Sequence, residues 1–441
     1  MLRLTDFVEK VFETPSVDAS EWFGYYNYDT LNYNQTKMLC NKALFDGVSP
    51  KNGMCIELGY YDIPLGKWNH IGYSDSWNWQ QGAMLQWIPG RDEVIYNKSK
   101  DNRLVSIIHN IKTKKERIID WPIYCLTPDG KKSISLDLER SYWCRAYHYK
   151  SVVNKSKEGR VYWGDGIFEI DLDFNKRKCI ISIDDIISYG REECFKDMKH
   201  WLEHVMVSPD GSRFCFLHRY SPINNIFAYK TRVFIANIDG SGLQMIKGSE
   251  KFNWTHFGWA HNNDFCIYTY KNSKYPNTRS LREIFKESFS LSELFHRIVL
   301  SSSRFLPTKI DKKLSGRERL YQYYSLMNDG NYNLSREINN KLFCIDGHPS
   351  FSLDDRYIVT DTYPDSKGFQ HLIVFDMVLN KGIVLADFYA YYSKTPASCD
   401  LHPKLCMNNN YIVVDTAYDD KHHMIMMRIN WEKIREALKK Y

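Results

Sequence analysis

Three short phrases carry histidine, two of them beside other metal-ligating side chains: THFGW at 255–259, DGHPSFS at 346–352 and CDLHPKL at 399–405. His256, His348, Cys399 and His402 come from successive stretches of the chain, and imidazole with thiolate suits zinc or another borderline transition metal; the expected cofactor is a divalent ion, Zn or Mn. A plainer reading stands beside it. His348 and His402 each precede proline and can bond turns at a channel rim, with Asp346 and Asp400 satisfying the backbone. A second constellation offers acid–base chemistry. His204, His218 and Arg219 lie within one phrase, HWLEHVMVSPDGSRFCFLHRY. An imidazole that takes a proton α to a carboxylate, and a guanidinium that neutralises that carboxylate, together meet the needs of an eliminating lyase. Arg145, Tyr147, His148 and Tyr149 offer the opposing acid or base. Against this, His204 can be a core residue and Arg219 can pair with Glu203. Trp79, Gln80 and Gln81, with Trp77, suit sugar stacking and hydroxyl recognition, as do Tyr147 and Tyr363, although tryptophan in a repeat fold also serves as packing between repeats.

Such residues need a frame that brings distant phrases to one place. A Pro/Asp/Asn/Gly turn followed by a short apolar strand recurs seven times: NYNQTKMLC from Asn32, IPGRDEVIYN from Ile88, TPDGKKSISL from Thr127, SPDGSRFCFL from Ser208, AHNNDFCIYT from Ala260, SLDDRYIVTD from Ser352 and MNNNYIVVDT from Met407. A second alternating hairpin follows, as in RVFIANIDGSGLQMI from Arg232 and HLIVFDMVLNKGIVL from His371. Two hairpins make a four-stranded blade, and blades packed face to face in a closed ring bury both their faces. The pattern predicts an all-β, seven-bladed β-propeller over 21–441, preceded by a helical lead-in at 1–20. Six or eight blades stay open, because the stretch between Thr127 and Ser208 is long enough to hide strands.

One segment departs from the pattern. Between 275 and 319, Leu281, Ile284, Phe285, Leu291, Leu294, Phe295 and Ile298 recur at helical spacing, which predicts a basic amphipathic insertion. It holds ten Lys/Arg against five Asp/Glu, so nearly all of the chain's formal +6 lies there. Over 279–315 it can pack on the propeller, meet a protein partner or rest on an anionic membrane surface. The remaining charge is close to neutral, and nucleic acid is not an expected partner. With 43% hydrophobic and 15% aromatic residues among 441, the composition excludes a disordered chain. Eleven cysteines without CxxC pairs speak against a disulfide framework. Asp6, Glu9, Lys10 and Glu13 interrupt the first apolar stretch and no 18-residue apolar run occurs, so the expected address is the cytoplasm.

The phrases NWQQGAMLQW, DGIFEIDL, SPDGSRFCFLHR, THFGW, DGHPSFSLDDRYIVTDTYPD and CDLHP resemble those of the propeller polysaccharide lyases, the group of oligogalacturonate lyase and the ulvan lyases, and more closely their relatives encoded with bacterial glycan genes. The resemblance implies His218 as base, His256 as a metal ligand, and Cys399 and His402 at the glutamine and histidine ligand positions. It implies Arg219 as the residue that neutralises a uronate. The chain departs from the pattern at Lys404, where a further metal-binding histidine stands in that family, and at Glu203, whose charge opposes an incoming uronate. The expected activity is metal-assisted β-elimination on an acidic oligosaccharide or polysaccharide. The alternative is a non-catalytic glycan-binding or scaffold protein in bacterial polysaccharide biosynthesis.

Overall fold

The computed structural model describes the whole chain except residues 146–148, 227, 249–251, 272–318, 394, 396, 407 and 441. Seven antiparallel sheets follow one another at residues 20–74, 86–119, 125–182, 198–245, 252–338, 350–389 and 404–429, forming the seven blades of a β-propeller. Each of the seven turn phrases leads into the second strand of a blade, from Lys37–Ala43 in blade 1 to Tyr411–Thr416 in blade 7. The turns are local devices: in TPDG, SPDG and SLDD the first hydroxyl bonds the aspartate two residues on, and that aspartate accepts a backbone N–H. The long stretch between Thr127 and Ser208 holds the rest of blade 3 and two short helices, α1 (Leu138–Cys144) and α2 (Ile183–Ser188).

The N-terminus corrects the expected helical lead-in. Leu2–Leu4 is a fifth, outer strand on blade 6, paired with Lys381–Tyr389, and Val8–Glu13 is the outermost strand of blade 7, paired with His423–Ile429. The sequence after 404 supplies only three strands to blade 7, so the outer edge of His423–Ile429 has backbone groups to satisfy. The N-terminal strand satisfies them and closes the ring, whatever its local helical pattern. A last helix, α3 (Trp431–Lys440), buries Ile434 and Leu438 on the core of blades 6 and 7.

The basic insertion at 275–319 lies outside the described residues apart from Arg319. The chain leaves blade 5 after its second strand, Phe265–Lys271, and re-enters at Arg319–Leu326. Among the described residues no helix is long and apolar enough to cross a membrane, and none of the eleven cysteines is in a disulfide.

Candidate metal centre at the channel mouth

In a propeller the blades surround a central channel, which the first strand of each blade lines. His204 and His256 lie within the innermost strands of blades 4 and 5, Met198–Val207 and Phe252–Trp259, and His348 and His402 lie two residues before those of blades 6 and 7, Ser350–Phe351 and Lys404–Leu405. His204 and His256 share a local cause for their aim. Each falls where the strand register slips, between Glu203 and Met206 and between Trp254 and Phe257, and such bulges turn a side chain out of the ladder.

Three imidazoles meet there. The rings of His256 and His348 are 4.1 Å apart and those of His348 and His402 4.4 Å apart. Asp361, 2% exposed, organises two of them. Its carboxylate accepts the His348 backbone N–H at 2.7 Å, approaches His348 Nδ1 at 2.9 and 3.0 Å, and accepts the His402 N–H at 3.2 Å. This close packing requires glycine at 347, since a Cβ there would stand 1.9 Å from the Asp361 carbonyl oxygen. Burial pushes the Asp361 carboxyl up to about 6. His402 is held at φ 44°, a strained conformation for a residue before proline, with Nδ1 donating to Gly24 O at 2.5 Å. Gly24 is fixed in turn, because its N–H and that of Phe23 both donate to the buried Asp415 carboxylate at 3.0 Å.

A carbonyl oxygen only accepts, so the proton of His402 lies on Nδ1 and its Nε2 carries a lone pair. Nε2 is buried with no hydrogen-bond partner among the described residues. The same logic at His348, whose Nδ1 faces a carboxylate, leaves the lone pair on Nε2. Burial first, and His348 second, push the His402 imidazole down to about 3, so it stays neutral and able to ligate. His348, Asp400 and His402 place one donor atom each within 4.8 Å of one another. Two imidazole nitrogens held from behind by a carboxylate and a carbonyl, with a carboxylate oxygen, fit a divalent ion such as Zn or Mn. The rings of Tyr25, Tyr26 and Tyr363 wall this group: Tyr26 lies 5.0 Å from His348, Tyr25 5.2 Å from His402 and Tyr363 5.9 Å from His348.

Cys399 is not among these donors. From 399 to 402 the side chains separate: Cys399 and Leu401 lie in apolar cores, while Asp400 joins His402. His256 also stands outside the three-donor group, with Nδ1 3.2 Å from Asp346, which accepts a hydrogen bond from Thr255 Oγ1. Lys404 pairs with Asp29 at 3.3 Å.

The other constellation divides into two. His204 stacks on Tyr25 at 5.3 Å, with Nδ1 3.4 Å from Tyr124 Oη and Nε2 3.4 Å from Glu203. Glu203, 2% exposed, takes Trp201 Nε1 at 2.5 Å, Arg219 Nη1 at 2.7 Å and Arg145 Nε at 3.3 Å, and Tyr229 lies against both guanidinium groups. Arg145 reaches it because α1, capped by Asp137, ends at that residue. The Arg219 charge is thus engaged by the chain's own carboxylate. His218 lies elsewhere. It is fully buried, accepts from Arg232 Nε at Nδ1 (3.0 Å) and donates from Nε2 to His200 Nδ1 (3.0 Å), while His200 Nε2 donates to Phe195 O. Both ring nitrogens of His218 are spent inside blade 4, so it cannot take a substrate proton in this arrangement.

Trp79 is also structural. It is stacked on His422 at 4.5 Å, packed against Trp22 and Trp77, and donates to Val48 O, leaving no face for a sugar. Gln80 bonds Ser398 O. Gln81 joins Tyr149 Oη and Tyr124 Oη, and so connects to His204. Tyr147 and His148 lie outside the described residues. Reading the sequence missed Asp361, Tyr25 and Tyr26, and cast Asp400 only as a backbone partner. Asp400 had a visible signal, its two-residue spacing from His402, whereas the others had none.

No family model matches the sequence, and no curated protein does. Among solved structures, an oligogalacturonate lyase in complex with manganese superposes with a TM-score of 0.61 at 14% identity, covering 98% of this chain and 96% of that one. The oligogalacturonate lyase of Vibrio parahaemolyticus does so at 0.61 and 13%, with the same coverage. A prolyl endopeptidase reaches 0.45 at 8% identity, over 93% of this chain and 47% of its own. At such identities the likeness is one of fold.

Proposed function

We propose that this propeller is a divalent-metal-dependent, carbohydrate-active protein that cleaves uronate-containing glycan by β-elimination at the channel mouth. One observation carries the reading: His348 and His402 present lone-pair nitrogens, fixed by Asp361 and Gly24 O, beside Asp400. A divalent ion held there would draw charge from a uronate carboxylate and acidify the adjacent C–H. The base must then come from an imidazole beside the group. His204 is a poor choice, because burial and the neighbouring Arg219 and Arg145 hold it well below the usual histidine range despite Glu203. His256 stands beside a carboxylate instead. Its Nδ1 lies 3.2 Å from Asp346 with no hydrogen bond among the described residues, and the ring lies against His348 and Tyr363.

The test is ultraviolet detection of an unsaturated product from polygalacturonate and other uronate glycans by protein loaded with Mn or Zn. Activity is expected to vanish with chelator, to return with metal and to be lost in His402→Ala. Stoichiometric metal without unsaturated product from any uronate glycan overturns the catalytic reading. The Glu203 carboxylate between two arginines favours the second reading, a glycan-binding or scaffold protein in polysaccharide biosynthesis, which predicts binding without turnover.

A further inference from the structure

Glu203 looks at first like an obstacle to an acidic substrate, yet its surroundings have the form of a carboxylate receptor. Among the described residues four nitrogens from three segments approach its two oxygens: Trp201 Nε1 donates to Oε1, Arg145 Nε lies 3.3 Å from Oε1, and Arg219 Nη1 and His204 Nε2 lie 2.7 and 3.4 Å from Oε2. Arg145 comes from the end of α1 in blade 3, the others from the first and second strands of blade 4. Tyr229 covers the arginine pair, with the Arg219 guanidinium 4.2 Å from its ring centre. Two guanidinium groups face one carboxylate in a place where Glu203 is almost wholly excluded from water, so the charge of Glu203 is needed to keep both arginines there.

We infer that this cluster is a carboxylate-binding slot occupied by the chain's own tethered carboxylate, and that Glu203 closes it to outside acids. The ligand class of the emptied slot is a small carboxylate. The inference deepens the proposed reading, and rests on it for the ligand class at the mouth: with Glu203 in place, the carboxylate of a uronate is received on the histidine side, and the arginine pair only positions His204 and the adjoining wall. Glu203 is then a specificity-determining residue, which prevents carboxylate-bearing ligands from docking at Arg219.

Glu203→Ala deletes a CH2–COO⁻ unit, which has the size and charge of acetate. The experiment compares melting temperatures of wild type and Glu203→Ala in chelator, so that no metal contributes, with sodium acetate, sodium propionate or sodium chloride at equal ionic strength. Glu203→Ala is expected to melt lower than wild type and to regain roughly 1–3 °C at about tenfold excess of acetate over its dissociation constant. Chloride and the longer propionate give no such gain, wild type shows no acetate-specific shift, and Glu203→Ala/Arg219→Ala loses the response. Should Glu203→Ala be recovered only unfolded, the yield on refolding with acetate against chloride becomes the readout. Equal effects of acetate and chloride in either format overturn the inference, as does an acetate-specific shift of wild type that Arg219→Ala abolishes. None of these readouts involves turnover. A failed rescue therefore leaves the lyase reading standing, and an inactive wild type leaves the slot standing.

Discussion

Replacing Asp361 with asparagine separates the job of orienting ligands from that of holding the fold. The carboxylate accepts the His348 N–H through one oxygen and the His402 N–H through the other, and both oxygens approach His348 Nδ1. An asparagine whose oxygen keeps the His348 bonds must turn its NH2 toward the His402 N–H, donor against donor. Leaving that buried donor unsatisfied costs about 1–3 kcal/mol, and exchanging charge-assisted bonds for neutral ones adds about 1 kcal/mol. The opposite effect has similar size. Burial raises the carboxyl to about 6, roughly two units above its unfolded value even after its bonds to His348 and the nearby His402 have lowered it, a net cost of about 3 kcal/mol for the charged form that asparagine does not incur. The two contributions nearly cancel, so Asp361→Asn is expected to melt close to wild type. Metal binding has no such compensation. With a neutral amide oxygen in place of the carboxylate, the Nδ1 proton of His348 is held less firmly and its Nε2 is a weaker ligand, and Mn or Zn affinity is expected to fall 10- to 100-fold, about 1.4–2.7 kcal/mol. Competition against a chromophoric chelator, alongside thermal melts, measures both. A folded Asp361→Asn that binds metal within about twofold of wild type refutes the orientation argument.

Cys399→Ser is expected to keep wild-type metal stoichiometry, whereas Asp400→Asn weakens binding; metal analysis of both decides between the Asp400 and the CxxH readings. His256→Asn is expected to retain metal and lose elimination activity, and loss of metal instead would make His256 a ligand. Trp79→Ala is expected to lower stability in urea by about 3–5 kcal/mol, from its packing against Trp22, Trp77 and His422, with glycan affinity per folded molecule unchanged. Burial holds His200 down to about 4, and its Nδ1 must stay unprotonated to accept from His218. A histidine depressed below its unfolded value of about 6.5 stabilises the fold at higher pH, and that contribution is lost as pH falls from about 6.5 toward 4. Imidazole nitrogen NMR at pH 5.5 should therefore show His200 and His218 neutral in the folded protein, and a protonated His200 there contradicts the network.

The seven blades were legible because their signals are short-range. A turn such as SPDG closes on its own hydroxyl and carboxylate, and the strand after it alternates over a handful of residues, so each phrase states its own hairpin wherever the ring places it. The histidines at 256, 348 and 402 were legible by type for the same reason, as polar residues set at or just before innermost strands. Tertiary structure decided which of them act together. Gly24 O meets His402 across 378 positions of chain, and Tyr26 Oη accepts from and donates to Phe257 across 231. Those separations are bridged by closure of the ring, and no local period records them. Closure likewise turned the N-terminal segment into strands, because the edge of His423–Ile429 needed a partner more than residues 8–13 needed a helix. His218 and Arg219 are sequence neighbours with opposite fates, one saturated inside blade 4 and the other bonded to Glu203. Adjacent residues of a strand face opposite sides, and only the packed blades determine which side is the channel.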